Sequence, residues 1–185
     1  VVTSSRNHSV SLAGALGIQE AIVQRFCIIK LQDNAARRET LIAAARKAKK
    51  SIIFITESAK VEGFNIQKHL SNVVFFDAIR DAGHFIGGVL HTAGVLRDRM
   101  VRGMTSDDFD VVCAPKVNGA WNLHHATTLD DIDHFVTYSS IAGLLGGVGQ
   151  ASYGFANAWM DGLSELRHGC GFGSSSVQWG PWSDF

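Results

Sequence analysis

Short apolar, β-branched runs alternate along this chain with longer stretches of helical periodicity, and that alternation limits the possible folds more than any other feature. Strands separated by helices are joined by crossovers rather than hairpins, so the expected architecture is an α/β, Rossmann-like, doubly wound parallel sheet. Residues 27–31, 51–56, 85–90, 134–138 and 174–178 read as strands, and 17–26, 36–49 and 73–82 as helices. In 36–49 the stripe Leu41, Ile42, Ala45 and Ala48 faces inward, while Arg37, Arg38, Arg46, Lys47, Lys49 and Lys50 read mostly as a solvated face. Thr105-Ser106-Asp107-Asp108 has the pattern of a capping box opening a long helix that carries Lys116. A further helix is expected to start near Gln150, with Gly143, Gly146, Gly147 and Gly149 breaking regular structure before it.

The 185 residues, 46% hydrophobic, suit one domain with a substantial core spanning 1–185, and 19 Gly against 2 Pro suit a fold with many glycine turns. A formal net charge of zero and a pI near 7.2 provide no basic footprint for nucleic acid and no field to hold a membrane surface. Cys27, Cys113 and Cys170 are odd in number and widely spaced, which suggests free thiols in a reducing compartment rather than zinc ligands or disulfides; no metal site is expected. No apolar run is long enough to span a bilayer, and Val1-Val2-Thr3-Ser4-Ser5 lacks the regions of a signal peptide, so a cytoplasmic location is expected.

The chemistry concentrates in one segment. Ser140 follows the strand read at 134–138, and Tyr153 and Asn157 are spaced one helical turn apart on a common face. A hydroxyl, a phenol and an amide converging on one carbonyl oxygen make a carbonyl-reduction site. A phenol titrates near 10 and works as an acid at neutral pH only beside a stabilising cation, for which Lys116 is the candidate. Taken singly, the four have ordinary structural readings: a turn hydroxyl, a half-buried aromatic, a cap and a solvated charge.

On His91-Thr92-Ala93-Gly94-Val95-Leu96, Ala114-Pro115-Lys116-Val117-Asn118-Gly119-Ala120, the block from Ser140 to Asn157, and Val177-Gln178-Trp179-Gly180-Pro181-Trp182, the chain resembles the ketoreductase domains of modular polyketide synthases and animal-type fatty acid synthases, a branch of the short-chain dehydrogenase/reductase family. Lys116 and Ser140 lie 24 positions apart and Ser140 and Tyr153 lie 13 apart, as in that branch. Tyr-x-x-x-Asn with an upstream lysine also matches it, where stand-alone members carry Tyr-x-x-x-Lys. The resemblance implies reduction of a β-ketoacyl thioester on acyl carrier protein by NADPH. Lys116, Ser140, Tyr153 and Asn157 would be the catalytic set, and the other domains of the same synthase would be partners.

The resemblance also implies a cofactor bed. His91, Thr92, Ala93 and Gly94 would lie beneath the adenosine ribose, and Trp179 and Gly180 beside the nicotinamide amide. In the amino-terminal half, about 1–84, the best register for a pyrophosphate turn is 10–17. It keeps Gly14 and Gly17 but places Ser11 and Leu12 where the family has glycines. Either the turn has diverged or short loop segments are missing, and the two glycines are also compatible with a plain helix start. Asp33 would oppose a 2′-phosphate that Arg37 or Arg38 would receive, and Glu57 reads either as an adenine neighbour or as a surface carboxylate. Leu96-Arg97-Asp98 approximates the Leu-Asp-Asp motif of the class that makes the D-alcohol, and Leu145 stands where the opposite class has Trp. Asp98, Leu145 and Gln150 are therefore the expected stereocontrol residues. The chain is expected to be a piece of a larger polypeptide. Rival readings are a non-catalytic reductase-like scaffold and a free-standing short-chain alcohol dehydrogenase.

Overall fold

The computed structural model describes residues 26–30, 40, 43, 47, 51–56, 60–61, 64–65 and 69–181. The helix expected at 17–26, the turn with Ser11, Gly14 and Gly17, and Asp33, Arg37, Arg38, Glu57 and Trp182 lie outside the described residues, apart from Phe26. Strands β1 (Phe26–Lys30), β2 (Ser51–Thr56), β5 (Ile86–His91), β6 (His134–Ser140) and β7 (Ser175–Trp179) form a parallel sheet in that order. Among these five described strands the order runs in one direction without reversal. Thr40, Ala43 and Lys47 are helical and exposed, in keeping with a solvated face on 36–49. A small antiparallel pair, β3 (Lys60–Val61) with β4 (Phe64–Asn65), has no counterpart in the sequence pattern.

Helices follow the strands: α1 (His69–Asp81), α2 (Ser106–Cys113), α3 (Gly119–Ala126), α4 (Ala142–Leu145) and α5 (Ala151–Gly169). Thr105 caps α2 as its spacing foretells. Its side chain accepts from the Asp108 N–H while the Asp108 carboxylate accepts from the Thr105 N–H, so two otherwise orphaned donors are satisfied. Two expectations need correction. The glycine-rich run after Ser140 does hold regular structure, because Gly143 lies inside α4, where its missing side chain lets the helix sit against α5. A Cβ there would stand 3.0 Å from the Ala158 nitrogen. The helix carrying Lys116 is also not one continuous α-helix. Between α2 and α3 lies a π-helical turn, Ala114–Asn118, where the Gly119 N–H reaches back to the Ala114 carbonyl. Pro115, which has no N–H to give an α-helical bond, sits in this widened turn.

The core lies where α1, α3 and α5 meet β5 and β6. Phe76 and Ile79, Ile86 and Val89, Ala120 and Leu123, Phe135, and Met160 and Leu163 are all buried there. Each large side chain contributes about 1.5–3 kcal/mol by leaving water. Every residue of β5 is buried, as a central parallel strand should be, whereas β6 alternates. Gly88 permits the close approach of those two strands, since a Cβ on it would meet the His134 carbonyl oxygen at 2.7 Å. Deep in the same region Arg167 is fully buried, its guanidinium carbon 3.9 Å from the Phe135 ring centroid and its Nη1 2.7 Å from His124 Nδ1. Burial and the adjacent cation push His124 down to about 4, so at neutral pH its ring is an uncharged partner for the arginine.

Candidate active site

The carboxyl ends of parallel strands are where α/β sheets place their ligands, and the expected catalytic residues gather at that end of β5 and β6. Ser140 is the last residue of β6, and Tyr153 lies in the first turn of α5, whose N-cap is Gln150. Lys116 lies in the π turn and Asn157 one turn beyond Tyr153. The widened turn decides where the lysine goes. Its side chain is almost fully buried and passes so near Gly94 that a Cβ there would meet Lys116 Cε at 3.0 Å. Lys116 Nζ donates to the Tyr138 carbonyl at 2.9 Å and stands 5.4 Å from the centroid of the Tyr153 ring.

Burial brings the Lys116 ammonium down to about 8, opposed by the negative charge of Asp161. The group is thus cationic at neutral pH and close to releasing its proton. The Ser140 hydroxyl oxygen accepts from the Ala142 N–H at 3.2 Å, which leaves its own hydrogen available for another acceptor. Asn157 is fully buried. Its Nδ2 donates to the Tyr153 carbonyl at 2.8 Å, its Oδ1 has no protein partner, and its backbone carbonyl accepts from Ser139 Oγ at 3.3 Å. Asn157 therefore pins the first turn of α5 and keeps one acceptor in reserve; it makes no hydrogen bond to Lys116.

His91 adds a role that its place in a small-residue turn does not reveal. Its ring is buried against the π turn, where the backbone of Lys116 and Pro115 accepts from it, and burial pushes it down to about 3, so it is neutral. The side chain braces the lysine segment, and only its backbone is left to line the turn that continues through Thr92, Ala93 and Gly94. The Tyr138 carbonyl is the other participant the sequence hides, because a backbone acceptor leaves no residue-type signal.

The loops over this end are stitched to each other. Gln150 Nε2 donates to Asp98 at 3.0 Å, and the Arg99 N–H donates to the Gly149 carbonyl at 2.7 Å. Arg97 and Arg99 both pair with the buried Asp108 carboxylate, at 2.6 and 3.0 Å. Two of the expected stereocontrol residues, Asp98 and Gln150, thus touch, while Leu145 stands exposed at the end of α4. Leu96, Leu144 and Val148 are likewise exposed on these segments.

A dinucleotide's nicotinamide end fits what is described. The turn from Thr92 to Gly94 is small and opens beside Lys116, Asn157 offers a buried acceptor, and Trp179 closes β7 stacked on Tyr138 with ring centroids 5.5 Å apart. Gly180 is exposed just beyond it. The pyrophosphate turn with Ser11, Gly14 and Gly17 is outside the described residues. No group of His, Cys, Asp or Glu among the described residues is arranged to hold a metal ion.

Comparison with known proteins points the same way. The model of the KR domain matches residues 31–184. One phenolphthiocerol/phthiocerol polyketide synthase polypeptide of Mycobacterium tuberculosis is 47% identical over 107 residues, covering 58% of this chain and 5% of the relative. Polyketide synthase GfsE of Streptomyces halstedii is 32% identical over 182 residues, covering 95% of this chain and again 5% of its own length. The chain thus spans a small fraction of the curated relatives it matches. Among solved structures, the ketoreductase from the first module of phoslactomycin biosynthesis in a Streptomyces species is similar at a TM-score of 0.68 with 27% identity, over 93% of this chain and 39% of that one. An amino-terminal ketoreductase from the macrolactin assembly line is similar at 0.65 with 26% identity, over 85% and 32%.

Proposed function

Since the chain belongs to the KR domain family, whose relatives here are polyketide synthases, we propose that it reduces a β-ketoacyl thioester carried on acyl carrier protein to the 3-hydroxyacyl thioester within such a synthase. The observation that carries this reading is the convergence of Lys116, Ser140, Tyr153 and Asn157 at the carboxyl end of β5 and β6, with the lysine buried and hydrogen-bonded to Tyr138. NADPH is the proposed cofactor, a choice that rests on the family resemblance; when bound it supplies the hydride to the ketone carbon.

The chain's own residues handle the charge that this transfer creates. As the carbonyl carbon gains hydride, its oxygen becomes alkoxide-like, and donors already aimed at it lower the barrier. Ser140 Oγ, with its acceptor side occupied by Ala142, donates to that oxygen. Tyr153 delivers the proton, and the Lys116 ammonium stabilises the phenolate left behind and supplies the next proton. Asn157 Oδ1 holds a water that refills this path. The exposed Leu96, Leu144, Leu145 and Val148 offer apolar surface to an acyl chain. The joined Asp98 and Gln150 shape the approach that exposes the ketone face leading to the D-hydroxyl. A cytoplasmic location accords with this chemistry, and among the described residues no helix is long and apolar enough to cross a membrane.

The test is Tyr153→Phe, which keeps the ring and removes the proton. In the full-length polypeptide, turnover of a β-ketoacyl thioester should fall at least about 100-fold while NADPH affinity, read by its fluorescence, is nearly unchanged. Turnover within a few-fold of the parent would place the site elsewhere.

A further inference from the structure

Asp161 lies on α5 one turn beyond Asn157 and two beyond Tyr153, so that Tyr153, Asn157 and Asp161 fall along one side of the helix. Its carboxylate is fully engaged. Oδ1 accepts from Ser176 Oγ at 2.5 Å and Oδ2 accepts from Gln178 Nε2 at 2.8 Å, while Ser176 Oγ in turn accepts from Thr137 Oγ1 at 3.0 Å. Ser176 and Gln178 flank Val177 on β7, and the register partner of Val177 on β6 is Tyr138. Tyr138 is the residue whose carbonyl receives the Lys116 ammonium. One carboxylate therefore straddles the strand position opposite the lysine's acceptor, and the Thr137 link fastens it to β6 immediately before that acceptor.

The other titratable groups that face the lysine turn are His91 on β5, Tyr153 on α5 and Cys113 at the end of α2, while the Tyr138 ring lies on the other face of the sheet, stacked on Trp179. Burial holds His91 at about 3 and pushes Cys113 to about 11, so these two are neutral near pH 7. Among the described residues, Asp161 is the negative charge that acts on Lys116.

We propose that Asp161 is a positioning residue for this site: through Ser176, Gln178 and Thr137 it fixes the Tyr138 segment that holds Lys116, and its charge keeps that buried ammonium protonated. This rests on the reduction reading for its functional meaning, but the underlying electrostatics can be measured without turnover.

The decisive experiment is competitive acetylation with acetic anhydride across a pH series, using the full-length polypeptide and following the Lys116 peptide by mass spectrometry. Asp161→Asn keeps partners for Ser176 and Gln178 but removes the charge, so the Lys116 midpoint should move about one unit to lower pH. Asp161→Glu should restore it. The alkaline limb of kcat, where activity is lost as Lys116 gives up its proton, should move down by the same amount in Asp161→Asn and return in Asp161→Glu. If Asp161→Asn does not fold, Asp161→Ser, which leaves room for a water between the two donors, is read in the same way. An unchanged Lys116 midpoint in a folded, charge-free variant would overturn the proposal and leave Asp161 as a tie between α5 and β7. A parent that reduces no β-ketoacyl thioester would instead overturn the reduction reading, and the acetylation result would still decide the role of Asp161.

Discussion

A buried ammonium works against folding, and Lys116 is one. Its folded value of about 8 lies below the ordinary 10.5, so the native state binds its proton less tightly than the unfolded chain does. The resulting cost is present in full below about pH 8 and disappears as pH rises towards 10.5. A domain kept only for its shape would gain from an apolar residue at this position, which weighs against the scaffold reading. Lys116→Met should therefore raise the unfolding free energy at pH 7 by up to about 3 kcal/mol for a shift of this size, while abolishing reduction. The gain should shrink as the pH is raised through 8 to 10.5. Urea denaturation at pH 7 and pH 10 checks both statements, and a variant less stable than its parent at pH 7 would contradict them.

At the scale of elements, packing depends on a few glycines whose importance follows from what lies beside them. Gly88 faces the His134 carbonyl across the β5–β6 pairing, so Gly88→Ala should force the central strands apart and cost about 1–3 kcal/mol. Gly103, with open space around it and no positive φ, should accept alanine within about 0.5 kcal/mol. Guanidinium chloride midpoints for the two variants make the comparison. The strands were legible because their apolar runs are short and β-branched, and β2 at Ser51–Thr56 falls where the pattern puts it. The capping box at Thr105 was legible because side-chain spacing alone creates it. The α4 helix and the π turn were not. A glycine run signals permission to turn rather than an obligation, and one extra backbone residue in a helix leaves the apolar pattern almost intact. For the site, residue types and spacing indicate Ser140, Tyr153, Asn157 and Lys116. The support from the His91 ring and the Tyr138 carbonyl depends on tertiary contact, which no local pattern encodes.

At the scale of the molecule, two histidines among the described residues are buried uncharged: His91, held at about 3, and His124, held at about 4. In the unfolded chain both titrate near 6.5, so between about pH 6.5 and 4 unfolding takes up protons that the native state refuses. Stability contributed by these two groups is complete above pH 6.5 and falls as the medium becomes more acidic. The slope should approach about 2.7 kcal/mol per pH unit near pH 5, where both differ between the two states. Urea midpoints at pH 7, 6 and 5 will show it, and His124→Asn should flatten the slope by about half. A parent whose stability does not change between pH 6.5 and 5 would mean that both rings are solvated in the native state, and a slope of half the expected size would mean that one is. His124 sits on α3, which continues directly from the lysine turn that His91 braces, so the two buried rings flank one stretch of chain.

The π turn between α2 and α3 has a consequence for how this site tolerates insertion and deletion. Each residue of an α-helix advances the chain by about 100°, so a turn holding one surplus residue sets α2 and α3 out of phase by that angle. Lys116 is aimed by a count of residues as much as by its own side chain. Removing one residue from Ala114–Asn118 would let an ordinary helix form with better backbone geometry, and would rotate either the capped α2 or the core-packed α3 away from its partner. Substitutions within 114–118 can therefore be absorbed gradually, while a change of length there switches the lysine between two discrete phases with no intermediate.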